Sequence, residues 1–201
     1  MFSTITRCVL RGLAALLVSV LVCAPASALA VGIDDYADYE PQTRCTSTTQ
    51  PGTAFLVKWL ARKYPDTGGS STLRPCSSGG TSEHKDGRAL DWSVDADRPA
   101  QRATAESFLT RIFATSAAGH QHAMARRTGI MYLIWDDQMW ASYRQFEGRD
   151  YLHSGCQTVD NCSKTLRHRD HVHISLSHAG AAAETSFYTK RNVPTAPLAA
   201  E

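Results

Sequence analysis

The stretch Ser82-Glu-His-Lys-Asp-Gly-Arg-Ala-Leu-Asp-Trp-Ser-Val94 combines two patterns that decide how this chain folds. Between residues 90 and 94, apolar residues alternate with more polar ones, a period of two that is typical of a strand with one buried face. The alternation directs Asp91 away from the core. Gly87 suits a turn just before the strand, which lets His84 fold back towards Asp91. We therefore expect a strand that carries a carboxylate, with a histidine folded over it.

A second stretch, His171-Val-His-Ile-Ser-Leu176, has the same period of two. Its two histidines and its serine fall on one face, and its apolar residues fall on the other. Catalytic zinc is usually bound by three protein ligands from His, Asp, Glu or Cys, and a fourth position stays open. Two histidines and one carboxylate satisfy that number, so the two stretches together predict a zinc hydrolase site.

The pattern Ser82-x-His-x-x-Gly-x-Ala-x-Asp91 resembles, without a mismatch, the first zinc motif of the D-Ala-D-Ala carboxypeptidase and dipeptidase family of bacterial zinc peptidases. The His-x-His pair is similar to the second motif of the wider group of lysostaphin-type, D-Ala-D-Ala and hedgehog-type domains. The chain also resembles secreted actinobacterial proteins described as peptidase-like, over roughly residues 40 to 190. The resemblance implies that His84, Asp91 and His173 bind one zinc ion.

Asp170 stands where the D-Ala-D-Ala family normally has a glutamate general base, three residues before the last zinc histidine. Aspartate is shorter, so its backbone must approach the reacting water more closely to reach hydrogen-bond distance. In a regular strand Asp170 would face away from His171, and we expect a bend or bulge that brings it in. The resemblance to lysostaphin-like domains makes His171 the competing base or transition-state donor. Both Asp170 and His171 are candidate catalytic residues.

Residues 1–30 have the pattern of a secretory signal peptide. Two arginines precede an apolar run over residues 12–24, and Ala28-Leu-Ala30 is a small-x-small cleavage signal. The run is too short for a spanning helix, which needs about 20 residues. We expect a secreted protein that has no membrane segment after cleavage.

Removal of the signal peptide takes the basic residues from 21 to 19, against 19 acidic residues, so charge gives no argument for nucleic-acid binding. Four cysteines remain in the exported chain and predict two disulfides, with three possible connectivities. Pairing Cys156 with Cys162 would close a small loop beside the second motif and leave Cys45 with Cys76. A second zinc site built from cysteines is the alternative, although the chain has no Cys-x-x-Cys pair.

The remaining chain of about 170 residues is long enough for one domain. We expect that domain over residues 31–190 and a mobile tail over residues 191–201. Helices are predicted over residues 54–64 (capped by Thr53), 98–117 and 179–188, and strands over residues 88–94, 129–135, 138–143 and the second motif. The predicted fold class is α+β, with a small, largely antiparallel sheet, flanking helices and a zinc cleft.

The resemblance and the exported compartment together imply a monomeric zinc metallopeptidase of the cell wall. Its partner would be the peptide of peptidoglycan, cleaved as a carboxypeptidase or as an endopeptidase. A zinc-containing module that binds the cell wall without catalysis is the main alternative. A phosphoesterase is a second alternative, because His173-Ile-Ser175 resembles one half of a two-histidine motif.

Overall fold

The structure is a computed structural model that describes residues 32–195, and it is built on a six-stranded sheet. The strands are β1 (Ser70–Ser71), β2 (Ala89–Ser93), β3 (Ile130–Trp135), β4 (Gln138–Ala141), β5 (Gly148–Asp150) and β6 (His171–Leu176). They lie in the order β1-β2-β6-β3-β4-β5, and every neighbouring pair is antiparallel. The last strand in the sequence therefore lies in the middle of the sheet. The predicted α+β class with a small antiparallel sheet is confirmed.

Five helices accompany the sheet in the described residues. They are α1 (Pro51–Lys63), α2 (Pro99–Phe113), α3 (Ala123–Thr128), α4 (His178–Ala181) and α5 (Ser186–Thr189). Helix α1 begins earlier than predicted, because the ring of Pro51 already has the backbone angle that the first turn needs. The Gln50 carbonyl accepts the first helical hydrogen bond, from Ala54 at 2.9 Å. The predicted cap by Thr53 is wrong, since Thr53 is buried inside the first turn.

The predicted C-terminal helix over residues 179–188 is divided into α4 and α5. Ala183 lies between them with a φ of +64°, in the left-handed region, which interrupts the helix. Helix α2 ends four residues before the predicted end at residue 117, with Ala114 in an extended conformation. The sequence pattern therefore located these helices but not their ends.

Helices α1 and α2 cover one face of the sheet, and the hydrophobic core lies between these helices and the sheet. The helices contribute Leu56, Leu60, Phe108 and Ile112, and the central strands contribute Leu90, Trp92, Val172, Ile174 and Leu176. Each of these side chains is at most 1% exposed, and burial of one contributes about 1.5–3 kcal/mol. Because side chains alternate along a strand, the polar residues of β2 and β6 are left on the other face.

The predicted central strand and its hairpin are present. Strand β3 pairs with β6 on one side and with β4 on the other. Asp136 and Asp137 form the tight turn with φ values of +47° and +63°, which suits the twist of a two-residue hairpin. The edge strands β1 and β5 are short and were not predicted.

Two disulfides are present, Cys45–Cys76 and Cys156–Cys162. They agree with the predicted framework and are consistent with an extracellular protein. No helix within residues 32–195 combines the length and the apolarity that crossing a membrane requires. The predicted signal peptide over residues 1–30 and the last six residues of the predicted tail lie outside the described residues.

Candidate metal centre

A buried turn holds His84 close to strand β2. The 3-10 turn Glu83–Asp86 precedes the strand, and all four of its residues are buried. Gly87 follows with a φ of +73°, and a Cβ atom at this position would lie 2.4 Å from the Thr48 carbonyl oxygen. Only glycine fits this conformation and this close approach. The turn therefore places the His84 ring beside Asp91, as the first motif predicted.

Strand pairing brings the second motif to the same place. In the ladder between β2 and β6, Asp91 lies opposite His173 and Ser93 lies opposite His171. Directly opposed side chains in an antiparallel pair have Cβ atoms about 4.5–5.5 Å apart. The register alone therefore makes Asp91 and His173 neighbours on the face opposite the core.

Three atoms from these segments form a nearly equilateral triangle. Asp91 Oδ1 lies 3.1 Å from His84 Nε2 and 2.9 Å from His173 Nδ1, and the two ring nitrogens lie 3.3 Å apart. A tetrahedral ion with bonds of about 2.0–2.1 Å holds its ligands about 3.3 Å from one another. His84, Asp91 and His173 could therefore hold a metal ion.

The neighbouring groups leave bare lone pairs on both ring nitrogens of the triangle. His84 Nδ1 lies 3.2 Å from the Thr72 carbonyl oxygen, which can only accept, so this nitrogen carries the proton of the neutral ring. His173 Nε2 lies 2.9 Å from Ser175 Oγ, whose own proton points to Glu83, so Nε2 is the donor. Two bare nitrogens and a carboxylate oxygen then face one another. Such an arrangement is repulsive unless a cation lies among the three atoms.

The electrostatic setting favours the protonation states that metal ligands need. Burial raises the pKa of Asp91, but hydrogen bonds from His173 and His84 outweigh burial when their facing nitrogens carry a proton, and the pKa then lies well below the usual aspartate value. A cation in place of those protons would lower the pKa of Asp91 in the same direction. Burial lowers the pKa of His173, and the Asp91 carboxylate offsets only part of this effect. An ionised Asp91 carboxylate beside a neutral His173 imidazole is the state in which these two groups bind a metal ion.

Behind His173 lies a chain of polar groups, here called the relay: Ser175, Glu83 and Tyr132. Ser175 and Glu83 are buried, and the serine hydroxyl donates to Glu83 Oε2 at 3.3 Å. The Tyr132 hydroxyl donates to the same oxygen, and the Tyr132 ring stacks on His173 with centroids 5.5 Å apart. Burial and the Glu83 carboxylate raise the pKa of Tyr132 well above its usual value. The relay therefore fixes both the orientation and the tautomer of His173.

Asp170 and His171 lie beside the ligand triangle and are bonded to each other. Asp170 immediately precedes β6, and its carboxylate accepts hydrogen bonds from His171 Nδ1 at 2.7 Å and from the Thr165 hydroxyl at 2.5 Å. Burial raises the pKa of Asp170, but these two bonds outweigh it and the net pKa is lowered. His171 Nε2 then lies 3.5 Å from Asp91 Oδ1. The Asp170 carboxylate thus supports His171, which is the nearer of the two to the triangle.

His168 is a fourth imidazole at the site. Its backbone has a φ of +51°, and its ring centroid lies 4.8 Å from that of His171 and 5.7 Å from that of His173. Burial lowers the pKa of His168 to about 3, with smaller contributions from the two neighbouring imidazoles. Its ring is therefore neutral and available as a hydrogen-bonding group.

Asp91 and His173 of the triangle line a cleft with two parts. One cavity of about 240 Å³ is lined by Asp91, His171 and His173, with Arg74 on its exposed rim. The other cavity, of about 500 Å³, shares Asp91 and His171 and adds Asp170 and the edge strand β1. The two cavities share Asp91 and His171, so they meet beside the triangle.

The fold and the ligand set define a small disulfide-bonded α+β domain with a candidate metal centre. Residues 45–162 match the family described as "VldE, C-terminal domain", and this segment is more than half of the 201-residue chain. The chain therefore belongs to the VldE C-terminal domain family. The matched segment contains His84 and Asp91 and ends before His171 and His173. No curated protein and no solved structure matches the chain.

Proposed function

We propose that the protein is an exported zinc metallopeptidase that cleaves a peptide bond in cell-wall peptidoglycan. The observation that carries the proposal is the triangle of ligand atoms from His84, Asp91 and His173, of which Asp91 and His173 line an open cleft. Two histidines and one carboxylate with an open side are typical of catalytic zinc, whereas structural zinc is usually enclosed by four protein ligands. The resemblance of the first motif to D-Ala-D-Ala carboxypeptidases supports a peptide substrate. The two disulfides support export.

Bound zinc would polarise the scissile carbonyl and lower the pKa of a water molecule towards about 7. The chain's own part in the reaction is proton transfer, and His171 is suited to it. Its Nδ1 lies 2.7 Å from Asp170, and the tautomer with its proton on Nδ1 leaves Nε2 free to accept a proton; His171 lines the cleft, with Nε2 3.5 Å from Asp91 Oδ1. His171 would accept a proton from the attacking water and deliver it to the amine nitrogen as the C–N bond breaks. Asp170 would hold the ring in that tautomer.

The shape of the cleft favours cleavage within a chain over removal of a terminal residue. Cavities of about 240 and 500 Å³ lie on the two sides of Asp91 and His171, so a peptide has room on both sides of the scissile bond. Strand β1 is an edge strand and lines the larger cavity, where its free backbone groups could pair with an extended peptide. We therefore favour endopeptidase activity.

The test is incubation of purified peptidoglycan with zinc-loaded protein, followed by mass spectrometry of the released fragments. Wild-type protein should release new peptide termini, and Asp91→Ala should release none. His120→Ala is the matched control, because this histidine lies outside the cleft. Zinc binding by the wild type without any new termini would reject the peptidase and support the non-catalytic wall-binding module.

A further inference from the structure

A larger cavity of about 760 Å³ lies away from the metal centre, between the ends of helices α1, α2, α3 and α5. It shares no lining residue with either part of the cleft. Among its 13 lining residues none is acidic, and five are cationic: Lys63, Arg111, Arg127, Lys190 and Arg191. We call this cavity the basic groove.

The positive charge of the basic groove is not neutralised by the described protein. None of its five cations forms an ion pair with a carboxylate in residues 32–195. The Asp34 carboxylate lies beside the groove, where it accepts hydrogen bonds from the backbone and the hydroxyl of Ser186, and its single negative charge offsets part of the positive charge. The Nε atom of Arg127 is buried and has no hydrogen-bond partner among the described residues. A buried guanidinium nitrogen without a partner indicates a missing acceptor.

Helix ends explain part of this charge but not all of it. Lys63, Arg111 and Arg127 lie in the last turns of α1, α2 and α3, where cations offset the negative end of the helix dipole. Each helix end is equivalent to roughly half a negative charge, so three ends offset about one and a half of the five positive charges. The Asp34 carboxylate offsets about one more, so a surplus of roughly two and a half positive charges remains, which is more than one phosphodiester group would neutralise.

Part of the lining of the basic groove is apolar. Trp59, Met124 and Phe187 line it, and Phe187 is buried with the Arg191 guanidinium 4.1 Å from its ring centroid. Because Arg191 already occupies that aromatic face, the face is not free to stack on a nucleic-acid base, as single-strand binders require. A lining that combines cations with apolar side chains suits a ligand in which charged groups alternate with short carbon linkers.

We propose that the basic groove binds a linear polyol-phosphate polymer. Three arginines provide planar forks that match phosphate oxygens, and the two lysines provide further charge. A volume of about 760 Å³ holds several repeats of such a polymer rather than a single anion. This site is independent of the metal centre.

The test is calorimetric titration of the full chain with synthetic poly(glycerol phosphate). The charge-reversal variant Arg111→Glu/Lys190→Glu should bind at least tenfold more weakly than wild type. Its plot of log affinity against log salt should be shallower by about 1 to 2, since each lost phosphate contact removes roughly 0.7. The matched control, Lys58→Glu/Arg98→Glu, changes the net charge equally at exposed cations outside the groove and should bind like wild type.

Three results would overturn the proposal. They are no binding by the wild type, equal weakening in the groove and control variants, and tighter binding of an oligothymidylate of equal charge. The last result would identify a nucleic-acid groove. Asp91→Ala should bind the polymer normally, so failure of the metal centre and failure of the groove are distinguishable.

Discussion

Removing the Ser175 hydroxyl should weaken metal binding although Ser175 is not itself a ligand. In Ser175→Ala, His173 Nε2 loses the acceptor that lies 2.9 Å away in a fully buried position. The metal-free ring can then move its proton to Nδ1 and donate it to Asp91, which lies 2.9 Å from that atom. Metal binding must reverse this change of tautomer, at a cost of roughly one buried hydrogen bond, or about 1–3 kcal/mol. The expected loss of metal affinity is therefore about 10- to 100-fold.

The assay is competition for zinc with a chromophoric chelator, accompanied by the visible spectrum of the cobalt-substituted protein. Ser175→Ala should show the weaker affinity and an altered cobalt spectrum, and Glu83→Gln should show a smaller loss because it keeps an acceptor for the serine. Ser142→Ala is the matched control, since Ser142 is equally buried and its hydroxyl has no partner in the described residues. Affinity within twofold of wild type in Ser175→Ala would refute the relay.

Three further predictions concern Asp170, the ion pairs of Asp97 and the turn at Gly87. Asp170→Asn should keep zinc but lower peptide hydrolysis by about 100-fold or more, measured by product formation, because His171 loses its orienting carboxylate; unchanged turnover would exclude this role. Hydrogen bonds from Lys164 and Arg169 lower the pKa of Asp97 to about 2. The ionised Asp97 therefore stabilises the folded protein above the unfolded-state pKa of about 3.9, and this stabilisation is lost as the pH falls towards 2. Asp97→Asn should therefore lower the urea midpoint at pH 7 and have little effect at pH 2, and an equal effect at both pH values would contradict the ion pair. Gly87→Ala should reduce the free energy of unfolding by about 2 kcal/mol or more, because φ is +73° and the added Cβ meets backbone; a wild-type urea midpoint would argue against the strained turn.

The alternation of side chains in β2 and β6 made most of the site predictable. Leu90 and Ile174 face the core because every second residue is apolar, and this direction leaves Asp91 and His173 on the other face. The pairing of two strands about 80 residues apart was not readable from either strand alone. It depends on tertiary packing, although the shared orientation of the ligands was enough to suggest one cleft.

Glu83 and Tyr132 were not predicted as site residues, because neither lies in a segment with alternating apolar and polar residues. Glu83 lies in a 3-10 turn, where no short repeat distinguishes a buried side chain from an exposed one, and its partner Tyr132 lies on a strand that is mostly apolar on both faces. His168 reaches the cleft through a left-handed backbone conformation, which the identity of a single histidine does not predict. The sequence predicted that a bend brings Asp170 in as a general base; in the structure its carboxylate accepts a hydrogen bond from His171, a pairing that the sequence did not indicate.

The central claim is that His84, Asp91 and His173 form one metal site, and the most direct test is the zinc content of purified protein. Elemental analysis of wild-type protein and of His171→Ala should give close to one zinc per chain. Alanine in place of any one of the three ligands should lower that value sharply, because only two corners of a triangle with sides of 2.9–3.3 Å would remain. Full zinc occupancy in all three ligand variants would contradict the account.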